Sequence, residues 1–222
     1  MRVLIVAAAP VTGSAQLVRK LAADHDSIIA VDGGGAVCIE AGVTPDTVLG
    51  DFDSIDPAAL DWLRHGGSKI KSFPSDKDQT DLELALSEAR TDGADRITLT
   101  AVSSRRLDHT LAALGAIGEA AHLWPELVEP EVHAWVLSSD ARDTLRVTGV
   151  GATISLVSYG VGACVSISGV RWPLDRHDLP PGSGLGVSNV VVDEGGAAIR
   201  VHTGTIFAIS PDTFDTVRAV AD

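Results

Sequence analysis

Cysteine is scarce in this chain of 222 residues, which contains only Cys38 and Cys164. The two residues are far apart and lie in no CxxC or mixed Cys/His spacing, so the sequence indicates neither a disulfide framework nor a zinc site. We therefore expect two buried, unreactive thiols in a cytoplasmic protein.

Long apolar runs are also missing. A helix that crosses a bilayer needs roughly 20 consecutive apolar residues, and no run approaches that length. The opening stretch MRVLIVAAAPVTGSAQ has one basic residue and a short apolar run, which is more typical of a first β-strand than of a signal peptide. The sequence thus predicts no association with a membrane.

The chain has few positive charges. It contains 17 lysines and arginines and 30 aspartates and glutamates, which give a formal net charge of -13. A nucleic-acid binder needs a basic stripe to neutralise phosphates, so we expect no nucleic-acid partner. The P-loop pattern GxxxxGK[ST] and the GxGxxG fingerprint are absent as well. A phosphorylated substrate would have to be held locally, by a few arginines and divalent cations.

The first half of the chain alternates apolar runs with segments of helical periodicity. Five apolar runs, from RVLIVAA to RITLTAV, alternate with five helix candidates. Strands that are apolar throughout and alternate with helices predict a parallel sheet covered on both faces. We expect an α/β, Rossmann-like domain over residues 1–127, with ligands collecting at the carboxyl ends of its strands.

From about His133 the helical period disappears. Short alternating runs rich in Val, Ile, Thr and Ser follow, and Gly punctuates them. This pattern predicts antiparallel strands, with ATISLVSYG and ACVSISGV as two separate ones, in a β-sandwich or barrel-like domain over residues 128–222. The stretch LWPELVEPEV, with Pro125 and Pro130, marks the expected boundary.

The stretch VLGDFDSIDP places three aspartates directly behind an apolar run. Asp51 and Asp53 are two residues apart, so both carboxylates would project from the same side if the strand geometry continued. Two such carboxylates repel each other unless a cation or a proton intervenes, and Mg²⁺ prefers oxygen ligands of this kind. Asp56, followed by Pro57, is instead explained as the N-cap of a helix.

Three further clusters stand where strands of the first half end. In VDGGGA, Asp32 ends a strand and the glycines allow close approach of the backbone to a ligand, although glycines also simply turn a chain. In PSDKDQTDLELAL, Thr80 and Glu83 have the spacing of a capping box. The aspartates of this stretch are either a solvated acidic cap or, with Lys77, part of a phosphate site.

The fourth cluster is SSRRLDHT, where Asp108 or Thr110 could be an N-cap and Arg105 and Arg106 offer guanidinium groups for phosphate oxygens. Read alone, His109 is more typical of a packed histidine at a helix start than of a catalyst. Together the four clusters bring several aspartates and an arginine pair to one sheet edge. That layout is typical of metal-assisted phosphoryl transfer, in which positioning and charge neutralisation carry most of the catalysis.

These stretches, in this order and spacing, resemble the thiamine pyrophosphokinase family. The chain has DGGGAVCIEAGVTPDTVLGDFDSID, FPSDKDQTDLELAL and RRLDHTLAAL, where the family shows DGG…PD…GDFDS, a D-x-D-x-T-D block and G-G-R-x-D-H. The second half resembles the family's β domain through GVRWPLDRHDLPPGSGLGVSNVVVDEGGAAIRVHTGTIFAI. The resemblance covers nearly the whole chain and is more specific in the first half.

The resemblance implies transfer of a pyrophosphoryl group from the co-substrate ATP to the hydroxyl of thiamine, with Mg²⁺, giving thiamine diphosphate and AMP. Asp51, Asp53 and Asp78 would hold Mg²⁺, and Asp53, Asp78, Arg106 and Asp108 would form the catalytic set. Which aspartate takes the hydroxyl proton stays open. The residues implied to bind the substrates are Asp32, Gly33, Gly34, Asp51, Lys77, Thr80, Asp81, Arg106, His109, Trp172, Ser188 and Asn189.

The resemblance also implies a homodimer with its active site at the subunit interface. Residues 1–127 would bind the nucleotide and Mg²⁺, and residues 128–222 would bind thiamine and form the dimer. Trp172 would stack on the aminopyrimidine or the cationic thiazolium of thiamine, since an aromatic face attracts cations. Without the resemblance, Trp172 is equally well explained as a core or rim aromatic of a β domain.

The chain departs from the family pattern at two places. Ser104 and Arg105 replace the usual Gly-Gly before R-x-D-H, and Ala36 and Val37 replace an Asn and an Arg after the first glycines. These changes motivate two alternatives, a degenerate homologue that binds thiamine or nucleotide without transfer, and a pyrophosphokinase with a different alcohol acceptor. A phosphohydrolase with Asp51 as nucleophile ranks last, because the chain lacks a paired-acid motif and has four lysines only.

Overall fold

The chain forms two compact units in a computed structural model that describes residues 1–53, 55–211 and 218–220. The first unit is Met1–Ile117 and the second is Gly118–Asp222. The sequence places the boundary between residues 127 and 128, within the second of these units. The separate roles expected for the two domains stay predictions.

The first unit alternates strands and helices, as predicted. Its five strands all run parallel, in the order β5-β1-β2-β3-β4. The elements are β1 (Arg2–Val6), α1 (Ser14–Ala22), β2 (Ser27–Val31), α2 (Gly34–Ala41), β3 (Thr47–Gly50), α3 (Pro57–His65), β4 (Lys69–Ser72), α4 (Asp81–Thr91), β5 (Arg96–Thr100) and α5 (Leu107–Glu119). The central strands are buried along most of their length, which explains why they appear in the sequence as unbroken apolar runs.

Two of the predicted helix starts are confirmed. The Asp56 carboxylate accepts a hydrogen bond from the Ala58 backbone N–H at 2.8 Å, with Pro57 in the first turn. Thr80 and Glu83 form the complete capping box at the start of α4. Of the helices that the structure describes, none is long and apolar enough to cross a membrane.

The two residues suggested as N-cap of α5, Asp108 and Thr110, do not cap it. The helix begins at Leu107, and the Thr110 backbone N–H donates to the Arg106 carbonyl oxygen at 3.1 Å. Asp108 and Thr110 therefore lie inside the first turn, and neither of them is the N-cap.

The second unit is antiparallel, as predicted. Its strands are β6 (Glu126–Glu129), β7 (Val132–Ser138), β8 (Thr144–Thr148), β9 (Thr153–Ser168), β10 (Leu174–Leu179), β11 (Asn189–Val190), β12 (Ala197–Ser210) and β13 (Arg218–Val220). The long strand β12 pairs with β7, β8 and β9. Its buried side chains belong to an apolar core with those of β7, β8 and β9. Together with the parallel first unit, this confirms the predicted α/β fold class.

Two details of the second unit differ from the sequence prediction. The runs ATISLVSYG and ACVSISGV form one strand of 16 residues, β9, instead of two. Gly160 and Gly162 have positive φ angles within it, and the pairing with β12 shifts register near this point, so the glycines bend the strand instead of ending it. Strands β6, β10 and β13 were not predicted, because β6 lies in the expected linker, β10, LDRHDL, is mostly exposed and polar, and β13 has only three residues.

The two cysteines lie in different environments. Cys38 is buried in α2, and burial raises the pKa of its thiol to about 12. Cys164 in β9 is only half-buried, so the expectation of two buried thiols is wrong for this residue. Both thiols are free.

Helix α2 meets the end of β1 through Gly34. A Cβ atom added to Gly34 would lie 2.1 Å from the Val6 carbonyl oxygen and 2.9 Å from the Ala7 carbonyl oxygen. Only glycine allows this approach of helix and strand backbones. The contact fixes the turn after β2, which carries Asp32, against the end of β1.

We predict that Gly34→Ala lowers the free energy of unfolding by about 2–3 kcal/mol, because the added methyl group forces the two backbones apart. The matched control is Gly184→Ala, since a Cβ atom there meets no atom within 4 Å. The control should stay within about 0.5 kcal/mol of the wild type. Urea unfolding followed by circular dichroism measures both variants, and equal midpoints for the two would contradict the prediction.

Candidate active site

A cavity of about 790 Å³ opens at the carboxyl ends of the parallel strands. Its size falls in the range of about 300–1,000 Å³ that is typical of small-molecule sites. Part of the lining is apolar and built mostly from small side chains, which leave room for a ligand. These apolar residues are Ala7, Ala8, Ala9, Val31, Leu82, Ala101, Val102, Ala112 and Ala113.

Three carboxylates form an acidic cluster in the lining of this cavity. Asp32 follows β2, and Asp51 and Asp53 follow β3. One oxygen of each carboxylate lies within 4.8 Å of the others. The negative charge of Asp51 is the main cause that raises the pKa of Asp53, followed by desolvation and then by the charge of Asp32. The cluster therefore concentrates negative charge that a divalent cation would neutralise.

The pair Asp51 and Asp53 is brought together by a turn. Strand β3 ends at Gly50, and Phe52 has a φ of 62°, so the alternation of a continued strand does not apply. The Asp53 backbone N–H donates to Asp51 Oδ1 at 3.2 Å. This hydrogen bond is the largest contribution that lowers the pKa of Asp51. The two carboxylates are neighbours as predicted, but the strand geometry given as the reason is wrong.

Left-handed backbone angles cluster around the cavity. Asp32 has a φ of 47° and Ala101 a φ of 56°, in addition to Phe52. Each of these residues stands just beyond the end of a strand, and none is a glycine. Such conformations cost free energy and concentrate at ligand sites, where the surrounding structure holds them in place.

The cations near the cavity are already paired with carboxylates. Lys77 Nζ lies 3.0 Å from Asp81 Oδ1 and donates to the Pro74 carbonyl oxygen at 2.9 Å. Arg106 donates through Nη2 to Asp108 Oδ2 at 2.7 Å and through Nε to Asp108 Oδ1 at 3.3 Å. This pair is about two-thirds exposed, and the hydrogen bond from Arg106 is the main cause that lowers the pKa of Asp108. A phosphate group could reach Lys77 and Arg106, but it would have to compete with Asp81 and Asp108 for them.

The structure brings most of the expected first-domain residues into one cavity lining. These are Asp32, Asp51, Asp53, Lys77, Thr80, Asp81, Asp108 and His109. Of the other expected residues of this unit, Gly33, Gly34, Asp78 and Arg106 lie outside the lining. Asp78 is exposed, and Asp32 stands beside Asp51 and Asp53 in the cluster where Asp78 was expected.

Several residues of the lining were not predicted from the sequence. Ser75, Gln79 and Ser104 line the cavity, and a hydrogen bond from the Ser75 side chain contributes to the low pKa of Asp51. The alanines after β1 were missed as well. They follow the first strand as Asp32 follows the second, so the rule that ligands collect at the carboxyl ends of strands would have found them.

In the second unit, Asn189 supports the backbone of Trp172. Its Nδ2 donates to the Trp172 carbonyl oxygen at 2.6 Å, and its Oδ1 accepts from the Trp172 N–H at 3.1 Å. Asn189 is buried, whereas Trp172 is 57% exposed, with the Arg171 guanidinium 5.5 Å from its ring centre. Ser188 has a φ of 60° and donates its N–H to Ser155 Oγ at 3.0 Å. The Asn189 amide thus fixes the backbone that carries an exposed indole.

Sequence comparisons identify two domains of one family. The thiamin pyrophosphokinase catalytic domain matches residues 18–124, and the thiamin pyrophosphokinase vitamin B1 binding domain matches residues 143–206. Thiamine pyrophosphokinase of Bacillus subtilis is 26% identical over 176 residues, which cover 78% of this chain and 82% of the relative. Thiamine pyrophosphokinase 2 of Arabidopsis thaliana is 29% identical over 167 residues, which cover 68% of this chain and 60% of the relative.

Solved structures share the fold. The crystal structure of thiamine pyrophosphokinase from Bacillus subtilis matches with a TM-score of 0.78 at 23% identity, covering 96% of this chain and 99% of that one. Thiamin pyrophosphokinase from Candida albicans matches with a TM-score of 0.74 at 14% identity, covering 94% of this chain and 88% of that one. The two domain matches, in the order catalytic then vitamin-binding and spanning most of the sequence, show that this chain belongs to the thiamine pyrophosphokinase family.

Proposed function

We propose that this protein transfers a pyrophosphoryl group from ATP to the hydroxyl of thiamine and is Mg²⁺-dependent. The observation that carries the proposal is the cluster of Asp32, Asp51 and Asp53 in the lining of a ligand-sized cavity, within the part of the chain that matches the catalytic domain. The degenerate binding homologue is not favoured, because the cavity keeps carboxylates and cations together. Both are needed to handle a metal-bound triphosphate.

The carboxylate cluster suits Mg²⁺. It offers three oxygen ligands from short side chains, and the raised pKa of Asp53 reflects like-charge repulsion that a divalent cation relieves. We assign the ion to Asp51 and Asp53 with Asp32, and we keep Asp78 as a further ligand on the family resemblance. When bound, Mg²⁺ neutralises charge on the phosphate oxygens and stabilises the charge that develops during transfer.

The chain's own side chains would bind and orient the reactants. Lys77 and Arg106 bind phosphate oxygens, Arg106 with the planar group that suits them. The hydroxyl oxygen of thiamine attacks the β-phosphorus, the bond from that phosphorus to the oxygen bridging to the α-phosphate breaks, and AMP leaves. The hydroxyl proton passes to a carboxylate of the lining. The hydrogen bond from Arg106 lowers the pKa of Asp108, so this carboxylate is ionised and is a weaker base than an unpaired one.

Thiamine would be contacted by the second unit. Trp172 presents an exposed aromatic face that suits the thiazolium cation, and Asn189 keeps its backbone in place. We include in the proposal a homodimer with the active site at the subunit interface, which light scattering after size exclusion would test. We also propose a cytoplasmic location, because the two free thiols agree with a reducing compartment.

The direct test is to incubate the folded protein with ATP, thiamine and Mg²⁺ and to measure AMP and thiamine diphosphate. Equal amounts of both products, absent when EDTA is added, support the proposal. Stabilisation by thiamine or ATP without any product would instead support the binding homologue. AMP release that depends on another alcohol, and not on thiamine, would change the acceptor.

We predict that Asp53→Asn lowers turnover by about 100-fold or more, because it removes a charged metal ligand from the site. The melting temperature provides a second readout. In EDTA the variant should melt above the wild type, because the repulsion from Asp51 is relieved, whereas Mg²⁺ should raise the melting temperature of the wild type and hardly that of the variant.

The control for this variant is Asp56→Asn. It removes the same charge three residues away, and asparagine caps a helix as well as aspartate does. Activity and the Mg²⁺ response should therefore match the wild type. If Asp53→Asn keeps more than about half of the activity, or responds to Mg²⁺ as the wild type does, the metal role of Asp53 is wrong.

We predict that Trp172→Ala raises the KM for thiamine about 10-fold, because the aromatic face that attracts the thiazolium is lost. Trp172→Phe keeps a ring and should show a smaller rise. The KM for ATP should be unchanged in both variants. Steady-state kinetics with each substrate varied separately measures this, and an equal rise in both KM values would point to a general loss of structure instead.

A further inference from the structure

The segment between β5 and α5 is tied to the helix by two hydroxyl side chains. The Ser104 backbone N–H donates to Thr110 Oγ1 at 3.0 Å. The single hydroxyl proton of Thr110 has two acceptors within reach, the Ser104 carbonyl oxygen at 3.1 Å and the Arg106 carbonyl oxygen at 3.3 Å. The Arg106 N–H donates to Ser104 Oγ at 3.0 Å. These bonds, hereafter the Ser104–Thr110 network, connect residues 104 and 106 to the first turns of α5.

The network stands at a place where the chain departs from its family. The usual pattern has Gly-Gly before R-x-D-H, and here Ser104 and Arg105 occupy these positions. The backbone N–H of Ser104 is directed at Thr110 Oγ1. The backbone N–H groups of Ser104 and Arg106 therefore serve the protein's own structure, and at these two residues a phosphate contact would come from a side chain.

The side chain suited to this contact is that of Arg106. It is about two-thirds exposed, and a long side chain of this kind loses conformational freedom when it is fixed against a ligand. Ser104 Oγ holds the N–H group of Arg106, and the Arg106 carbonyl oxygen faces Thr110, with the backbone N–H at 3.1 Å and Oγ1 at 3.3 Å. A backbone held on both sides limits the directions in which the guanidinium can extend, which lowers the entropy that a bound phosphate must remove.

We propose that Ser104 and Thr110 are positioning residues, which hold the backbone of Arg106 so that its guanidinium meets the triphosphate of ATP at the cavity. Ser104 itself lines that cavity and is half-buried. The inference rests on the proposed function for the identity of the ligand. Two hydroxyl groups thus fix the backbone of a segment in which the family pattern has Gly-Gly.

A purely structural role would look different. If the network only stabilises the start of α5, removing a hydroxyl lowers the melting temperature and leaves the affinity for ATP unchanged in the folded protein. If the network positions Arg106, removing a hydroxyl lowers the affinity for ATP, and this loss disappears when Arg106 is replaced. Such a dependence of one residue's effect on another is a coupling, which a double-mutant cycle measures.

The test compares Thr110→Val, which removes the hydroxyl and keeps the shape, with Thr110→Ser, which keeps the hydroxyl. The dissociation constant for ATP with Mg²⁺ is measured by calorimetry without thiamine. We expect Thr110→Val and Ser104→Ala each to weaken binding about 5-fold, because an Arg106 side chain on a less fixed backbone loses more conformational freedom when it binds ATP. Thr110→Ser should stay within about 2-fold of the wild type. Equal affinities for Thr110→Val and Thr110→Ser would overturn the proposal.

The same changes are then made in an Arg106→Gln background. We expect Thr110→Val to alter ATP affinity there by less than about 2-fold, because the side chain that it positions is gone. A full 5-fold effect in that background would overturn the proposal. If Thr110→Val does not fold, Ser104→Ala alone and with Arg106→Gln completes the cycle.

The calorimetric readout separates this proposal from the function itself. A wild type that binds ATP and forms no thiamine diphosphate refutes the transferase activity, while the cycle still decides the roles of Ser104 and Thr110. A wild type that does not bind ATP refutes both. Coupling to Arg106 together with product formation supports both.

Discussion

The mutual repulsion of three carboxylates is the constraint on which the rest of this structure depends. Asp32, Asp51 and Asp53 are held with oxygens within 4.8 Å of one another, an arrangement that separate side chains in water would avoid. The fold imposes it in two ways. Parallel strands end at one edge of the sheet, and the close approach of Gly34 to Val6 fixes the turn after β2 there.

Two cations of the candidate site are paired with carboxylates of the same chain. Lys77 lies against Asp81 and Arg106 against Asp108, so each cation already has a carboxylate before any ligand arrives. A metal-bound triphosphate would bring its own cation to the acidic cluster and its own anions to Lys77 and Arg106. An acidic protein can in this way hold a strongly anionic substrate, because neutralisation is local and does not need a basic surface.

Polar side chains in both units support the backbone of a residue that we propose to bind substrate. Asn189 uses its amide to hold Trp172, and Ser104 and Thr110 hold the segment that carries Arg106. The exposed groups Trp172 and Arg106 are thereby attached to a fixed backbone. Such supporting residues are hard to recognise in a sequence, since a serine or threonine before a helix is also the ordinary choice for a turn.

The sequence by itself determined the α/β order of the first half, the antiparallel second half, the capping of α3 and α4 and the acidic clusters at strand ends, because periodicity and capping are local properties. Only the tertiary structure decided that Asp32 joins Asp51 and Asp53, since residues from neighbouring strands meet through the sheet order. It also decided that β9 continues through Gly160 and Gly162, because pairing with β12 outweighs the local tendency of glycine to turn.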